Sequence, residues 1–436
     1  MRTNVLYFVI TEVFSPFFLN ISRALEQNYA YKPYLVSFLP TDHAFLKKNS
    51  QHIYPKSLDE IENQVIDDHI YSDTEILEMC SFIKNKFGGD LKDWRIRLLK
   101  ITAYVIRLIE EKEINLIVMW NGQDFVARTI SEIARKRNIK CIYMENGYFP
   151  GTLQADTEGV NSAASVAKLD FDEIKEIQNT AASAVSNDLK VELIRSTPLT
   201  KSELVPNSLR RILNPNFYKT YPELRGSSLL WGKFLNERRK RIPFDQIELP
   251  QQFAFIPLQV HDDTQILLNS PLFDNPKDFI IHCYTAIREA LGSDYPIVVK
   301  EHPEDIFRYS YDDIRQKFPD IIWIKNFPID DIVSKSTFIM VVNSSVGLQA
   351  IKLLKPTIVF GESIYSKPEI CYYISDKSET KEKILKAVSR MDDEMESNIK
   401  LYINFIENKF FFRGSWKLLS HDNLVSCINK IHNLSL

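Results

Sequence analysis

Short apolar runs of strand length alternate with helix-length amphipathic segments along most of this chain, and that alternation restricts the fold more than any other feature. It requires mainly parallel sheets covered by helices, an α/β architecture. In the first half, strands are expected at "NVLYFVI" (4–10), "PYLVSFL" (33–39), "NLIVMW" (115–120) and "KCIYME" (140–145). Between the last two, "DFVARTISEIARKRN" predicts a helix with Phe125, Ile130 and Ile133 on its apolar face. From Asp170 to Arg241 the periodicity is helical and no strand is expected. Strands resume after Pro243 at "FAFIPLQ" (253–259), "PIVVKEH" (296–302), "IIWIKN" (321–326), "TFIMVVN" (337–343) and "PTIVFG" (356–361). The tail from about Lys381 reads as helical throughout.

A chain of 436 residues exceeds one ordinary core. The expected division is residues 1–245, a Rossmann-like domain with a helical insertion, then 246–395, a second Rossmann-like domain, then 396–436, helices able to pack back on the first. Two such domains facing one another place the carboxyl ends of both sheets around a shared cleft, where open α/β sheets bind ligands.

A net charge of -3 with 25% charged residues makes no demand for nucleic acid, and none is expected as a partner. In "MRTNVLYFVITEVF" a Thr and a Glu interrupt the apolar run before a signal-peptide core forms, and no stretch reaches the roughly 18 to 20 apolar residues of a spanning helix, so a cytoplasmic protein is expected. The cysteines, Cys80, Cys141, Cys283, Cys371 and Cys427, form no CxxC pair, which fits a reducing compartment and argues against a structural zinc site. No glycine-rich phosphate loop is present. "LLWGKFLNERRKRIP", with four basic residues at 238–241, reads either as a peripheral contact with an anionic inner-membrane surface or as a solvated interdomain helix.

Four polar clusters directly follow apolar strands: "ENGYFPGT", "QVHDDTQ", "KEHPED" and "NSSVGLQA". Each alone has a plain reading as turn and cap chemistry. Four at equivalent strand ends point to a ligand. In the last, Ser344 or Ser345 can cap a helix, and the same geometry aims unpaired N–H groups at an anion such as a nucleotide phosphate. Lys300 and His302 stand two apart on a strand end and so point the same way, which suits a phosphate or carboxylate. Glu145, before the tight-turn pair Asn146-Gly147, is a carboxylate at the mouth of a sheet, fit for acid or base work or for pairing with an Arg. "QADTEGVNSAAS" (154–165) has no evident packing role and reads as a ligand loop.

Together "WNGQDFVAR" (120–128), "ENGYFPGTLQADTEGVN" (145–161), "PLQVHDDTQI" (257–266), "KEHPED" (300–305) and "NSSVGLQAI" (343–351) resemble, in order, the capsule polysaccharide biosynthesis family of retaining β-Kdo transferases of the KpsC/KpsS type. The resemblance implies a GT-B architecture, an acceptor-side first domain, CMP-Kdo bound by the second domain, and a glycan or glycolipid acceptor in capsule or lipopolysaccharide biosynthesis, with contact to an assembly complex as a further expectation. Its "LQxxxDxQI" pattern places the family carboxylate at Asp263 and leaves Asp262 open; neighbouring strand residues face opposite ways, so Asp263 is expected to face the cleft. Retention then uses Asp263 as nucleophile and Glu145 as base. Lys300, His302, Asn343, Ser344, Ser345, Gln259 and Gln265 are the expected donor-binding residues, and Asn146, Gly147, Asp156, Asn161 and Arg128 the expected substrate-loop residues. No metal or other cofactor is required, since consecutive residues of "HDD" cannot all aim at one ion without a bulge. Two other readings stay open: an inverting GT-B enzyme using another nucleotide sugar, which needs no nucleophile at Asp263, and a non-catalytic capsule assembly or export component.

Overall fold

A computed structural model describes residues 3–39, 43–50, 52–55, 61, 70–179, 189–200, 202–205, 209, 213, 235, 237–261, 269–389 and 391–436. The chain divides into two compact units, one of Met1–Val160, Ser183–Leu229 and Phe411–Leu436, the other of Asn161–Ala182 and Leu230–Phe410. Each contains a mainly parallel sheet, the pair of Rossmann-like domains expected from the alternation.

In the first unit β1 (Asn4–Phe8), β2 (Lys32–Ser37), β3 (Ile53–Pro55), β4 (Leu116–Trp120) and β5 (Lys140–Asn146) are parallel. They are joined by β6 (Thr152–Asp156) and β13 (Phe412–Arg413) in the order β13-β6-β5-β4-β1-β2-β3. Side chains alternate as strand geometry requires: Val5, Tyr7 and Val9 pack on one face with helices Ser15–Tyr29 and His421–Ser435, and Leu6 and Phe8 on the other with Leu91–Lys112 and Phe125–Lys136. Every residue of β4 is buried, as a parallel strand covered on both faces must be. Helix Phe125–Lys136 buries Phe125, Ile130 and Ile133, and the Asp124 carboxylate caps it by accepting the N–H groups of Val126 (3.0 Å) and Ala127 (3.1 Å).

In the second unit β7 (Ala254–Pro257), β8 (Ile297–Lys300), β9 (Ile322–Ile324), β10 (Phe338–Val341), β11 (Thr357–Val359) and β12 (Tyr372–Tyr373) form an all-parallel sheet in the order β12-β11-β10-β7-β8-β9. The chain builds outward from β7 through β9, returns to β10 beside β7, and builds outward the other way. The carboxyl ends of β7 and β10 therefore flank a topological switch point, the natural crevice of an open α/β sheet.

The fold departs from three of the sequence expectations. The unit boundaries do not fall at 245 and 395, because helix Phe171–Gln178 packs on Asp393–Phe405 in the second unit, while β13 and helix His421–Ser435 pack in the first. The tail is not helical throughout: after Asp393–Phe405 the chain widens into a π-helical turn at Ile406–Phe410, and β13 then pairs antiparallel with β6. Gln154–Asp156 is not loop but the end of β6, which folds back on β5 as a hairpin and buries Gln154 and Asp156. Most of 206–236 and all of 262–268 lie outside the described residues.

Candidate functional site

Gln259, past the end of β7, and Asn343, past the end of β10, meet at the switch point through reciprocal amide bonds: Gln259 Nε2 donates to Asn343 Oδ1 (2.8 Å), and the Asn343 N–H to Gln259 Oε1 (3.2 Å). Asn343 Nδ2 also reaches the carbonyls of Asn269 (3.2 Å) and Glu362 (3.3 Å). These two residues, expected to touch the donor, thus tie the strand ends together. Ser344 and Ser345 follow directly. Ser344 is the N-cap of helix Ser345–Lys352, its Oγ accepting the Val346 N–H (3.3 Å), while its carbonyl accepts the Tyr365 hydroxyl. A Cβ on Gly347 would lie 2.6 Å from that hydroxyl and 2.9 Å from Val341, so the close seating of the helix needs the glycine of "NSSVGLQA".

Lys300 closes β8 and is 9% exposed; its Nζ donates to the Lys325 carbonyl (3.2 Å). Burial pulls the ammonium below its ordinary range, against the opposing pull of Asp245 and Glu301. His302 Nδ1 accepts the Glu304 N–H (3.1 Å), so the neutral ring carries its proton on Nε2. Lys300, His302, Ser344 and Ser345 line one cavity of about 440 Å³, a volume typical of small-ligand sites, together with Arg239 and Phe327. Two of the strand-end clusters, "KEHPED" and "NSSVGLQA", thus line this cavity, and the third, through Gln259, is bonded to Asn343 at the start of "NSSVGLQA".

The "QVHDDTQ" and "KEHPED" clusters are also joined directly. Asp305, fully buried, accepts the His261 N–H (2.7 Å) on one oxygen and faces His261 Nδ1 (2.8 Å) with the other, and the His261 ring stacks on Tyr309 at 4.6 Å. The chain is thus pinned at His261, immediately before the two aspartates. Asp262, Asp263 and Gln265 themselves lie outside the described residues.

In the first unit the chain leaves β4 through Asn121 and Gly122, both with positive φ (58° and 79°). A Cβ on Gly122 would lie 2.6 Å from the Tyr143 ring. This sharp exit turns Asn121 toward Glu145 at the end of β5: Asn121 Nδ2 donates to Oε2 (2.7 Å), and Oε1 accepts both the N–H (2.8 Å) and Nδ2 (2.9 Å) of Asn146. The carboxylate is half-buried, and desolvation raises its pKa despite these donors, all of them neutral. A carboxyl group so held can exchange a proton nearer neutrality than an exposed one.

The expected substrate-loop residues do not share one loop. Asn146 and Gly147 enter the β5–β6 turn, where a Cβ on Gly147 would lie 2.1 Å from Thr152 Oγ1. Arg128 lies on helix Phe125–Lys136 and Asp156 in β6, where its carboxylate accepts the Glu158 N–H (2.8 Å). Asn161 starts a short 3-10 turn in the other unit. Asn121, Asp305, His261 and Arg239 did not figure among the expected site residues. Asn121, His261 and Asp305 lie within the motifs and Arg239 within the basic segment, but each is tied to a partner distant in sequence that no local pattern records.

A family model described as "Capsule polysaccharide biosynthesis protein" matches residues 115–389, from the edge of β4 to the helix after β12. Protein FixF of Sinorhizobium fredii is 23% identical over 301 residues, 69% of this chain and 61% of that protein. The capsule polysaccharide export protein KpsS of Escherichia coli is 22% identical over 271 residues, 55% of this chain and 65% of that one. The chain thus spans under two thirds of the length of either curated relative. Among solved structures, Thermosulfurimonas dismutans KpsC, a beta Kdo 2,7 transferase, aligns over 79% of this chain and 97% of its own at 16% identity, with a TM-score of 0.39. The matched span carries every strand-end cluster described above and exceeds half of the sequence, so the chain belongs to the capsule polysaccharide biosynthesis protein family.

Proposed function

We propose that the protein is a retaining β-Kdo glycosyltransferase, moving Kdo from CMP-Kdo to a glycan or glycolipid acceptor in capsule or lipopolysaccharide biosynthesis. The observation that carries this reading is the cavity at the second unit's switch point, where Lys300, His302 and the start of helix Ser345–Lys352 supply fixed positive charge and N–H donors without a glycine-rich loop. Family membership and the ordered motifs of the sequence support the transferase, and the "LQxxxDxQI" pattern supports the sugar.

In the proposed chemistry an Asp263 oxygen attacks the anomeric carbon while its bond to the CMP phosphate breaks, and the cavity offsets the charge that grows on the departing phosphate. The acceptor hydroxyl then attacks the same carbon, gives its proton to Glu145, and releases Asp263 as a carboxylate. Two displacements return the original anomeric configuration. The scheme involves no metal.

Calorimetry with CMP, UMP and UDP tests the donor: CMP is preferred, and a clear preference for UDP overturns the Kdo assignment. Incubation with CMP-Kdo and a panel of acceptors, followed by anomeric analysis, tests retention. A second reading, a non-catalytic export or assembly component, rests on the name of the KpsS relative. It predicts glycan binding with no release of CMP from CMP-Kdo under any acceptor.

A further inference from the structure

Of the four basic residues at 238–241, Arg239 is the one that lines the cavity. Arg238 lies over the Phe307 ring at 4.5 Å, Lys240 pairs with Glu237 (2.9 Å) on the surface, and Arg241 is exposed. A short strap delivers Arg239. Asp245 accepts the N–H groups of Lys325 and Asn326 (both 2.7 Å) and donates its own N–H to the Asn326 carbonyl (3.0 Å), while Asn326 Nδ2 donates to the Ile242 carbonyl (2.8 Å). These bonds fasten residues 242–245 to the chain just past β9, and Pro243 stiffens the strap between them. Upstream, one helical turn, closed by Arg241 N–H to Arg238 O and Ile242 N–H to Arg239 O (both 3.1 Å), carries Arg239 over the "KEHPED" loop.

We propose that Arg239 is a donor-binding residue that takes an anionic group of the nucleotide sugar, and that the 237–245 strap exists to place it. The proposal rests on the donor reading above. In the structure Arg239 Nη2 donates to the Glu304 carbonyl (2.7 Å) and Nη1 to the Glu304 carboxylate (3.2 Å). The guanidinium side chain is 14% exposed and the Glu304 side chain 56%. A pair with so solvated a partner is weak and exchanges readily for an anion held inside the cavity. CMP-Kdo brings two anions, the phosphate and the carboxylate beside the anomeric carbon of Kdo. Lys300, His302 and the helix start can hold one; Arg239, a second cation lining the same cavity, answers the other. The planar guanidinium fork matches either a carboxylate or a phosphate with two parallel bonds.

The test measures KM for CMP-Kdo and the inhibition constant of CMP in wild type, Arg239→Gln, Arg239→Lys and Arg238→Gln. Arg239→Gln raises the donor KM on the order of 10- to 100-fold, the loss expected of a charge-assisted pair. Arg239→Lys, which keeps the charge without the fork, lies in between and keeps the result readable if the Gln variant folds poorly. Arg238→Gln stays at the wild-type value. An unchanged CMP constant in Arg239→Gln identifies the sugar carboxylate as the partner, and a parallel rise identifies the phosphate; either upholds the proposal. Unchanged constants in both Arg239 variants, with wild type active, overturn it and leave the donor reading standing. A wild type that neither binds CMP nor consumes CMP-Kdo overturns both.

Discussion

The carboxyl ends of the two sheets differ in the groups they hold. In the second unit a desolvated lysine, an imidazole, an arginine and the N–H groups of a helix start surround a cavity that also takes in Glu301, a carboxylate paired with Arg315. In the first, a half-buried carboxylate is gripped by Asn121 and Asn146, which are neutral. Had Glu145 been paired with an arginine, its pKa would fall and its proton affinity would be lost; amide donors fix its geometry while burial keeps the affinity high. The contrast separates labour: one sheet end suited to holding an anion, the other to moving a proton.

The largest expected effect lies at the two aspartates that follow His261 in sequence. On the proposed mechanism Asp263→Asn removes the charge of the proposed nucleophile, so transfer falls by roughly four orders of magnitude while CMP affinity stays within about threefold. Asp262→Asn costs less than about tenfold. Initial rates and calorimetry on the two variants decide the matter, and intact mass spectrometry of Glu145→Gln mixed with CMP-Kdo should catch a Kdo adduct mapping to 253–266. A larger loss in Asp262→Asn reverses the assignment of the two faces.

Next comes Glu145 itself. Glu145→Gln lowers transfer by about 10²- to 10⁴-fold, the range of a general base, with CMP affinity unchanged. Because burial raises this carboxyl's pKa, the acid limb of the rate profile lies above the ordinary carboxylate range. The Asn121 bond favours the charged form, so Asn121→Ala raises the pKa further and moves the limb to higher pH. A limb that stays put in Asn121→Ala assigns it to another group.

The readability of these regions in sequence differs for a physical reason. The parallel strands within "NLIVMW" and "TFIMVVN" are buried on both faces, so their composition alone announces them. "TLQAD" carries Gln154 and Asp156 into a buried position that only the hairpin with β5 explains, and β13 is two residues whose strand character depends wholly on β6. At the site, Ser344 and Gly347 were readable because cap and close approach are local. The clasp of His261 by Asp305 spans 44 positions and that of Arg239 by Glu304 spans 65, and no local pattern records such pairings. Gln259 and Asn343 were picked out by their motifs, but their mutual bonding, 84 positions apart, was not.

The smallest expected effect tests the contrast by the sign of a pH dependence. Burial raises the folded pKa of Glu145, so the native state keeps a proton that the unfolded chain has released. Its contribution to stability is therefore full below the ordinary carboxylate range and declines as pH rises through the raised value. Lys300 is the mirror case: burial lowers its folded pKa, the unfolded chain keeps the proton longer, and stability declines as pH falls from the ordinary lysine range toward the lowered value. Glu145→Gln should flatten the acid-side slope of stability against pH, and Lys300→Met the alkaline-side slope. Slope is the useful readout because Lys300→Met also deprives the Lys325 carbonyl of a donor, which shifts the height of the whole curve without tilting it. Urea titrations from pH 4 to pH 10 on both variants measure this, and a variant whose curve runs parallel to wild type shows that its group does not carry the charge strain assigned to it.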